Sequence, residues 1–348
     1  MTLPAEPGPL VEAEPPPAAA VEGPAHGRGP WATAWRRLRR DRSALASLAV
    51  LLLVALLSLL APLYAAWLGV DPFRSNLRGE VVIDGEAVPV MAQSTEGLGL
   101  GVTPIGPTWS LRGYALGADN QGRDVLARLL YGGRNSLLIA GAATVLCLLA
   151  ATAVGLVAGF AGGVVDTVLS RILDVLWAFP VYLLAISLSI VLLTSEITVG
   201  PLTVTAGSLL LPIFIIGVIY VPYVARPIRA QVLRLRHSEF VLAAIGLGLP
   251  TRRILLKDVL PNLVPTLIVY VPILLALAIA TESALSYLSI GVQPPDASWG
   301  TIIQDGQGLL YSRPWVALAP GIAIVVTVLA LNVLGDAVRD ALDVRGHR

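Results

Sequence analysis

The sequence has 348 residues, of which 55% are apolar and 14% are charged, with a formal net charge of +1. Soluble domains usually carry about a quarter charged residues, so this composition favours a membrane protein. The near-neutral charge argues against a nucleic-acid partner. The lone Cys147 excludes an internal disulfide, and the three histidines are too far apart in the sequence for a metal site.

The first segment, residues 1–42, is rich in proline, alanine and glutamate and becomes basic towards its end. It has few large apolar side chains before residue 30, so we expect a disordered cytoplasmic tail. The tail is not a signal peptide, because the apolar run begins too late and is too long. It is interpreted either as a regulatory or docking arm or as a dispensable extension.

Six charge-free stretches follow the tail, and each is long enough to cross about 30 Å of hydrocarbon as a helix. Backbone groups cannot remain unpaired in lipid, and long apolar runs without strand alternation exclude a barrel. The sequence therefore predicts an all-α polytopic membrane protein. The predicted spans are 43–70, 135–165, 175–195, 197–225, 259–281 and 314–335. Prolines at positions 180, 212, 222, 227 and 272 are candidate sites for kinks.

Basic residues crowd one side of the predicted topology. Most of the 24 fall before the first span, within residues 226–262 and after the last span. The positive-inside bias therefore places both termini and residues 226–262 in the cytoplasm. The chain is then a multi-pass protein of the cell inner or plasma membrane, in contact with lipid, with a core at 135–338 and a short C-terminal tail at 339–348.

Residues 71–134 form the longest polar segment between the predicted spans. We expect this segment to be an extracytoplasmic loop. Asp84-Gly85 between two short apolar runs is a strong hairpin signal, and residues 97–107 are rich in glycine and proline, which predicts an irregular stretch. From Asp124 onward apolar residues recur at helical spacing, which predicts a short helix on the membrane surface before the second span.

Three charged residues of this segment, Asp119, Arg123 and Asp124, stand close together. Two carboxylates without a histidine or a third acid are weak evidence for a metal site. We expect a structural network of ion pairs and turns, with the docking of an external partner as the alternative. Glu282, the acid nearest the membrane interior, is expected near the outer end of the fifth span within reach of water, with a gating role or a helix-end role.

Residues 226–262 carry the most informative pattern. Ser238 is a good N-cap, and Glu239 follows in the first helical turn, where the helix dipole favours an acid. Gly248 and Pro250 stop this helix. Four residues recur at helical spacing and are expected on one face: Phe240, Ala243, Ala244 and Leu247. A short apolar helix with an alanine face suits the groove of a partner protein.

A second short helix is expected after the break. Thr251 caps it, it runs to about Leu260, and Pro261 ends or kinks it before the fifth span. Arg252 and Arg253 lie in its first turn, where the helix dipole disfavours cations. Something outside the helix must therefore balance them, either anionic lipid head groups or carboxylates of a cytoplasmic protein.

Residues 239–248, followed after twelve residues by Pro261-Asn262, resemble the EAA loop of ATP-binding-cassette importer permeases. Three further stretches, 117–131, 162–180 and 282–300, resemble the dipeptide and oligopeptide (peptide/nickel) branch of that family, and the long outer loop suits its second type of permease subunit. The sequence departs from the family pattern at Leu242, where the EAA glutamate belongs, and at Ala118, where a threonine is usual.

The resemblance implies a type I importer permease that is not itself an enzyme. The family pairs two related permeases, as a heterodimer in this branch, over two ATPases, and an extracytoplasmic binding protein delivers the substrate. The chain has no G-x-x-x-x-G-K-[ST] motif, so ATP and Mg belong to the partner subunits. The implied cargo is a dipeptide or oligopeptide, with nickel, glutathione or an oligosaccharide as alternatives.

The resemblance also implies roles for individual residues. Coupling to the ATPases falls to Glu239, Phe240, Ala243, Ala244, Gly248, Arg252, Arg253 and Pro261. Docking of the binding protein or gating falls to Asp119, Arg123, Asp124, Glu282, Gln293 and Trp299. A stand-alone secondary transporter would instead predict inverted repeats and several intramembrane charges, and a membrane enzyme would need clustered acids and histidines. The sequence has neither pattern.

Overall fold

The computed structural model describes residues 30–83, 85–93, 101–193, 197–199, 202–204 and 208–343. Predictions for residues 1–29, Asp84, 97–100, Ser195 and 344–348 lie outside these ranges. The helices are α1 (Pro30–Arg40), α2 (Arg42–Leu59), α3 (Ala61–Leu68), α4 (Val125–Ala161), α5 (Gly163–Ala178), α6 (Val181–Leu193), α7 (Leu210–Ile219), α8 (Val221–Arg236), α9 (Glu239–Gly246), α10 (Thr251–Arg253), α11 (Leu260–Tyr287), α12 (Trp299–Gly306) and α13 (Trp315–Leu342). The strands are β1 (Glu80–Ile83), β2 (Glu86–Pro89), β3 (Met91–Gln93), β4 (Val102–Pro104), β5 (Ile197–Val199) and β6 (Leu202–Val204).

Four stretches of the described chain are long and apolar enough to cross a membrane: α2, α4, the continuous stretch Thr251–Tyr287, and α13. Two bent pairs, α5 with α6 and α7 with α8, make six if each pair is one span. The predicted all-α polytopic class is confirmed. The six predicted spans correspond to these four continuous helices and two bent pairs.

The two bends lie at prolines. The axes of α5 and α6 differ by 94° across Phe179-Pro180, and those of α7 and α8 differ by 43° at Tyr220, with Pro222 in the first turn of α8. Proline cannot donate a backbone hydrogen bond and crowds the preceding turn, so the helix changes direction there. The predicted kinks at Pro180 and Pro222 are therefore confirmed.

The prediction of a separate surface helix before the second span is wrong. Helix α4 runs without a break from Val125 to Ala161, and the carboxylate of Asp124 caps it by accepting a hydrogen bond from the N–H of Ala127 at 2.9 Å. Gly132 and Gly133 do not interrupt the helix. Added Cβ atoms there would lie about 3.0 Å from atoms of the segment that begins α12, so both glycines serve close packing.

Three further sequence-based boundaries are corrected. Residues 30–40 form a helix although 1–42 is predicted to be disordered, because tertiary packing against α13 supplies the missing stability. The fourth span begins at Leu210, and the preceding Ile197–Val199 and Leu202–Val204 form a hairpin of alternating apolar and threonine residues. Residues 102–104, expected to be irregular, pair with β3, while the predicted hairpin of β1 and β2 is confirmed.

Helix α4 lies at the centre of the bundle and packs against α2, α7, α8 and α11. Its contact with α8 is close because Gly155 and Gly159 present no side chain there. A Cβ atom on Gly155 would lie 2.7 Å from Ile228, and one on Gly159 would lie 2.8 Å from Val232. Small residues four positions apart let two membrane helices approach closely in this way.

The two ends of the bundle carry different segments. At one end, Arg37 donates to the carbonyl of Asp343 at 3.3 Å, so α1 packs beside the last turn of α13. That turn shares a cavity with Pro265 near the start of α11. At the other end, Arg313 donates to the carbonyl of Pro104 at 2.6 Å. The described part of 71–134 therefore lies with α12 at the end opposite to α1 and α9.

Candidate functional site at the two ends of the bundle

Helix α9 begins as predicted after Ser238, but the serine side chain does not cap it. Ser238 has an extended backbone, and its Oγ donates back to the carbonyl of Leu235 at 2.5 Å instead of accepting from the helix. The exposed Glu239 remains in the first turn, where the helix dipole stabilises its charge. The start of the helix is thus fixed by the end of α8 rather than by a capping side chain.

The buried face of α9 differs from the predicted one. Val241 and Ala244 are buried against the rest of the chain, with Ala244 only 7% exposed. Phe240, Ala243 and Leu247 are exposed. Ala244 therefore holds α9 to the bundle, and an external groove would meet the side of α9 that carries Ala243.

The predicted stop at Gly248 is confirmed. Gly248 has φ +72°, a left-handed conformation that side chains disfavour, and the N–H of Leu249 donates to the carbonyl of Ala244 at 3.2 Å. This pattern of a left-handed glycine and a backward hydrogen bond satisfies the last carbonyls of α9. The chain then turns at Pro250 into α10.

The second helix is not a separate element, and Pro261 does not end it. The stretch from Thr251 passes through a wide π-helical turn, Ile254–Val259, directly into α11. Pro261 then stands in the first turn of α11, where the absent N–H costs little. Thr251 makes no capping hydrogen bond either. The loop and the fifth span are consequently one continuous helical body.

Three exposed charged residues on and beside α9 form no ion pair within the described chain. Arg252 and Arg253 are exposed, and neither forms an ion pair with a described carboxylate. The same holds for Glu239. The expectation that something outside the helix balances the arginines stays a prediction, with lipid and protein carboxylates both open.

Hydrogen bonds and ion pairs attach α8 to its neighbours near this loop. Gln231 on α8 accepts from the hydroxyl of Thr266 on α11 at 2.6 Å. Arg229 binds both carboxylate oxygens of Asp166 on α5, the second at 2.6 Å. Helices α5, α8 and α11 are thereby joined beside α9.

At the opposite end, two arginines and two aspartates form a largely buried network. Arg123 Nε binds Asp119 at 2.7 Å and its Nη2 binds Asp305 on α12 at 2.9 Å. Arg128 on α4 contacts Asp119 and also binds Asp305 at 2.8 Å. The predicted network of ion pairs is confirmed. Since Asp119 is fully buried and Arg123 is 4% exposed, neither side chain forms much of the outer surface.

Asp124 is fully buried and orders the turn that leads into α4. Its carboxylate accepts from the N–H of Tyr114 at 2.5 Å as well as from that of Ala127. Burial raises the pKa of Asp124, and the charge of Asp119 adds to the rise, while these backbone donors oppose it. These hydrogen bonds give the Asp124 side chain a structural role. That it also takes part in docking stays a prediction.

Glu282 lies in a cluster of serines where water does not reach it. The side chain is fully buried, which corrects the expected exposure. It accepts from Ser136 of α4 at 2.8 Å and from Ser286 of its own helix at 2.7 Å. Ser136 in turn accepts from the N–H of Trp299 at 3.2 Å. Glu282 thus joins α4, α11 and α12 at the outer end, which favours the helix-end role.

The other two predicted outer residues have different environments. Trp299 is 2% exposed, and its indole donates to the carbonyl of Leu129 at 3.1 Å, so it anchors α12. Gln293 is half-buried and lines a polar cavity of about 460 Å³ that Arg123, Arg128 and Asp305 also line. Of the predicted outer residues, Gln293 is therefore the best placed to meet a partner.

Comparison with known proteins decides the family. The profile of the binding-protein-dependent transport system inner membrane components matches residues 151–346, and that of the N-terminal TM domain of oligopeptide transport permease C matches residues 29–77. The chain belongs to the family of binding-protein-dependent transport permeases. It is a multi-pass inner membrane protein of the peptide branch of ATP-binding-cassette importer permeases.

Several curated relatives match nearly the whole chain. The oligopeptide transport system permease protein OppC of Escherichia coli (strain K12) is 36% identical over 91% of this chain and 92% of its own length. The dipeptide transport system permease protein DppC of Alkalihalophilus pseudofirmus is 32% identical over 90% of each. Among solved structures, the inward-facing MetNI methionine ABC transporter gives a TM-score of 0.49 at 18% identity, covering 62% of this chain and 95% of that one.

Sequence reasoning about this permease missed Arg128, Ser136 and Asp305. Arg128 lies among leucines near the start of an apolar helix, and an arginine in that position usually pairs with an acid inside the protein. Its ion pair could therefore have been predicted from the sequence. Asp305 is 182 residues from Arg123, and nothing in the local sequence pairs them. No local pattern distinguishes Ser136 from other helix residues, because its role depends on the packing of Trp299 of α12 against it.

Proposed function

We propose that the chain is the transmembrane permease subunit of an ATP-driven importer and that it carries dipeptides or oligopeptides. The support is its similarity, over about nine-tenths of its length, to permeases named for oligopeptide and dipeptide transport. Nickel, glutathione and oligosaccharides are the alternative cargoes, and direct uptake measurements separate them from peptides.

The partners of the proposed importer follow from its family. The chain pairs with a related permease as a heterodimer, two ATPases bind on the cytoplasmic side, and an extracytoplasmic binding protein delivers the substrate. The chain itself is not catalytic, and ATP and Mg²⁺ belong to the ATPases. The bias of basic residues supports placing α1, α9 and the end of α13 in the cytoplasm.

The observation that carries the coupling proposal is the exposed apolar side of α9. Phe240 is 45% exposed on α9, a helix of eight residues outside the spans, and Leu247, the residue directly after it, is 79% exposed. At about 100° per residue both lie on the side that carries Ala243, and large apolar side chains exposed together mark an interaction site. In the proposed complex a groove of an ATPase receives this side of α9, with Ala243 allowing close approach.

Movement of α9 reaches the membrane through two routes. Val241 and Ala244 are packed against the chain, and α9 contacts both α8 and the π-helical turn. Because that turn continues into α11, a displacement of α9 by closing ATPases moves α11 as a body. Single π-helical turns inside helices are frequent at functional sites, which agrees with a role of Ile254–Val259 in transmitting this movement.

A charge on the exposed side of α9 tests the docking. Ala243→Glu places a carboxylate where the groove approaches, and we expect co-purification of the ATPases and peptide-stimulated ATP hydrolysis to fall at least about tenfold. The permease itself should keep its membrane level and its thermal unfolding midpoint, because Ala243 is exposed and the buried side of α9 is formed by Val241 and Ala244.

Gly308→Glu is the matched control. Gly308 is exposed at the opposite end of the bundle, and an added Cβ atom there meets nothing within 4 Å. It introduces the same charge and should leave ATPase association unchanged. Normal association and normal uptake in the Ala243→Glu permease, at normal membrane level, would refute docking through α9.

A further inference from the structure

Helix α1 has two chemically distinct flanks outside its contact with α13. Ala34 is buried and Leu38 is half-buried, so they mark the side that packs on the bundle. At about 100° per residue, Trp31 and Trp35 lie on the flank next to Leu38. They are 47% and 55% exposed. Tryptophan is enriched at the boundary between lipid tails and head groups, so this flank suits the membrane surface.

The other flank is basic. Arg36 and Arg40 lie on the far side from Ala34, and Arg39 lies between them and the tryptophans, with its guanidinium 4.7 Å from the ring centre of Trp35. Five arginines fall within seven residues: Arg36, Arg37, Arg39, Arg40 and Arg42. None of the five forms an ion pair with a carboxylate in the described ranges.

The acids near α1 do not pair with Arg36, Arg39 or Arg40. The carboxylate of Asp41 accepts from the hydroxyl of Ser43 at 2.6 Å and from the N–H groups of Ala44 and Ser43, which holds the pKa of Asp41 below its ordinary value and caps α2. Asp340 shares a cavity with Arg37 on the side that faces α13. Arg36, Arg39 and Arg40 therefore present positive charge away from the protein.

The orientation of α1 relative to the first span is set by Asp41. This residue has a non-helical backbone, so α1 ends at Arg40 and α2 starts a new axis at Arg42. A helix with an aromatic flank, a basic flank and no long apolar run lies in a membrane surface instead of crossing it.

From these observations we infer that α1 lies in the surface of the membrane leaflet at the α9 end and binds anionic phospholipid head groups through Arg36, Arg39 and Arg40. Trp31 and Trp35 enter the boundary of the acyl chains, and the arginines meet phosphates beside them. The bound lipid and the packing on α13 together fix the start of the first span. The inference does not depend on which cargo the importer carries.

A fluorescent probe on α1 tests this inference in the assembled transporter. Ala32→Cys, in a chain whose buried native Cys147 is replaced by alanine, places the probe on an exposed position. The complex is reconstituted in nanodiscs of phosphatidylcholine with or without phosphatidylglycerol, each with a nitroxide quencher on one lipid at a time. We expect quenching by head-group nitroxides and a preference for labelled phosphatidylglycerol over labelled phosphatidylcholine.

Charge variants measure that preference. Arg36→Gln, Arg39→Gln and Arg40→Gln combined should lower it at least tenfold, since each basic residue near an anionic surface contributes about fivefold. Lysines at the same three positions should restore it. The matched control is Arg74→Gln, Arg78→Gln and Arg112→Gln, three exposed arginines at the opposite end of the bundle, which should leave the lipid preference unchanged.

Three results would each overturn the inference. The first is a probe that no lipid nitroxide quenches. The second is an equal loss of preference in the glutamine triple and in its control. The third is quenching that is absent in the assembled transporter and appears only when the ATPases are removed, because carboxylates of the ATPases would then be the partner of α1.

Discussion

Single charged side chains hold the outer end of this permease together. Asp305 joins α12 to Arg123 and Arg128, and the fully buried Asp119 completes the charge balance. Two buried guanidinium groups are costly without carboxylates, so removal of one acid leaves a positive charge that water cannot solvate well. The network therefore holds α12 in position, in agreement with the structural network that the sequence predicts for Asp119 and Arg123.

Replacement of Asp305 by asparagine tests this requirement. The Asp305 side chain is 23% exposed, so part of the lost interaction is compensated by water, and we expect a loss of about 1–3 kcal/mol in stability. The thermal unfolding midpoint of the purified complex should fall by a few degrees. Asp296→Asn, which removes a half-buried acid without an ion pair among the described residues, is the control. Equal midpoints for the two variants would contradict the role assigned to Asp305.

Among the elements, the contact between α4 and α8 is set by two glycines. Gly159→Ala places a Cβ atom 2.8 Å from Val232 and 2.9 Å from the backbone carbonyl of Arg229, which cannot move without α8. Such overpacking costs about 1–3 kcal/mol. We expect a lower unfolding midpoint and slower ATP-driven transport from the displaced helices.

Gly141→Ala is the comparison on the same helix. No atom lies within 4 Å of a Cβ atom there, and alanine favours the helix over glycine, so stability should stay equal or rise slightly. If Gly159→Ala were as stable as Gly141→Ala, the close packing of α4 on α8 would not be supported.

The elements also differ in how much of them the sequence reveals. Long apolar runs, the pairing of β1 with β2 and the stop at Gly248 depend on neighbours in the chain, and they were predictable. The continuous α4 and the continuous Thr251–Tyr287 were not, because tertiary packing of Gly132, Gly133 and the π-helical turn overrides local stop signals.

The sequence predicted the position of each candidate site but not how its side chains pack. The position of α9 was found from the sequence, but the inward turn of Ala244 was not, since all apolar residues of a short helix look alike until the packing partner is known. The cluster around Glu282 joins residues up to 163 positions apart, which no local pattern signals.

At the scale of the whole molecule, a few continuous helices connect the end of the bundle that carries α9 with the end that carries α12. Helix α11 follows the π-helical turn beside α9 and carries Glu282 near its other end, where the serine cluster joins it to α12. In the proposed importer, a movement of α9 thereby reaches the opposite end of the bundle, where we propose that the binding protein docks. This connection is the physical basis of the proposed coupling between ATP hydrolysis and peptide passage.

The most direct test of this account is peptide uptake by proteoliposomes that hold the permease pair and its ATPases, with ATP enclosed with the ATPases and the binding protein on the opposite side. The account predicts accumulation of labelled dipeptide or oligopeptide that requires both ATP and the binding protein, and that falls at least about tenfold with Ala243→Glu. Uptake that proceeds without ATP, or that is unaffected by Ala243→Glu, would contradict it.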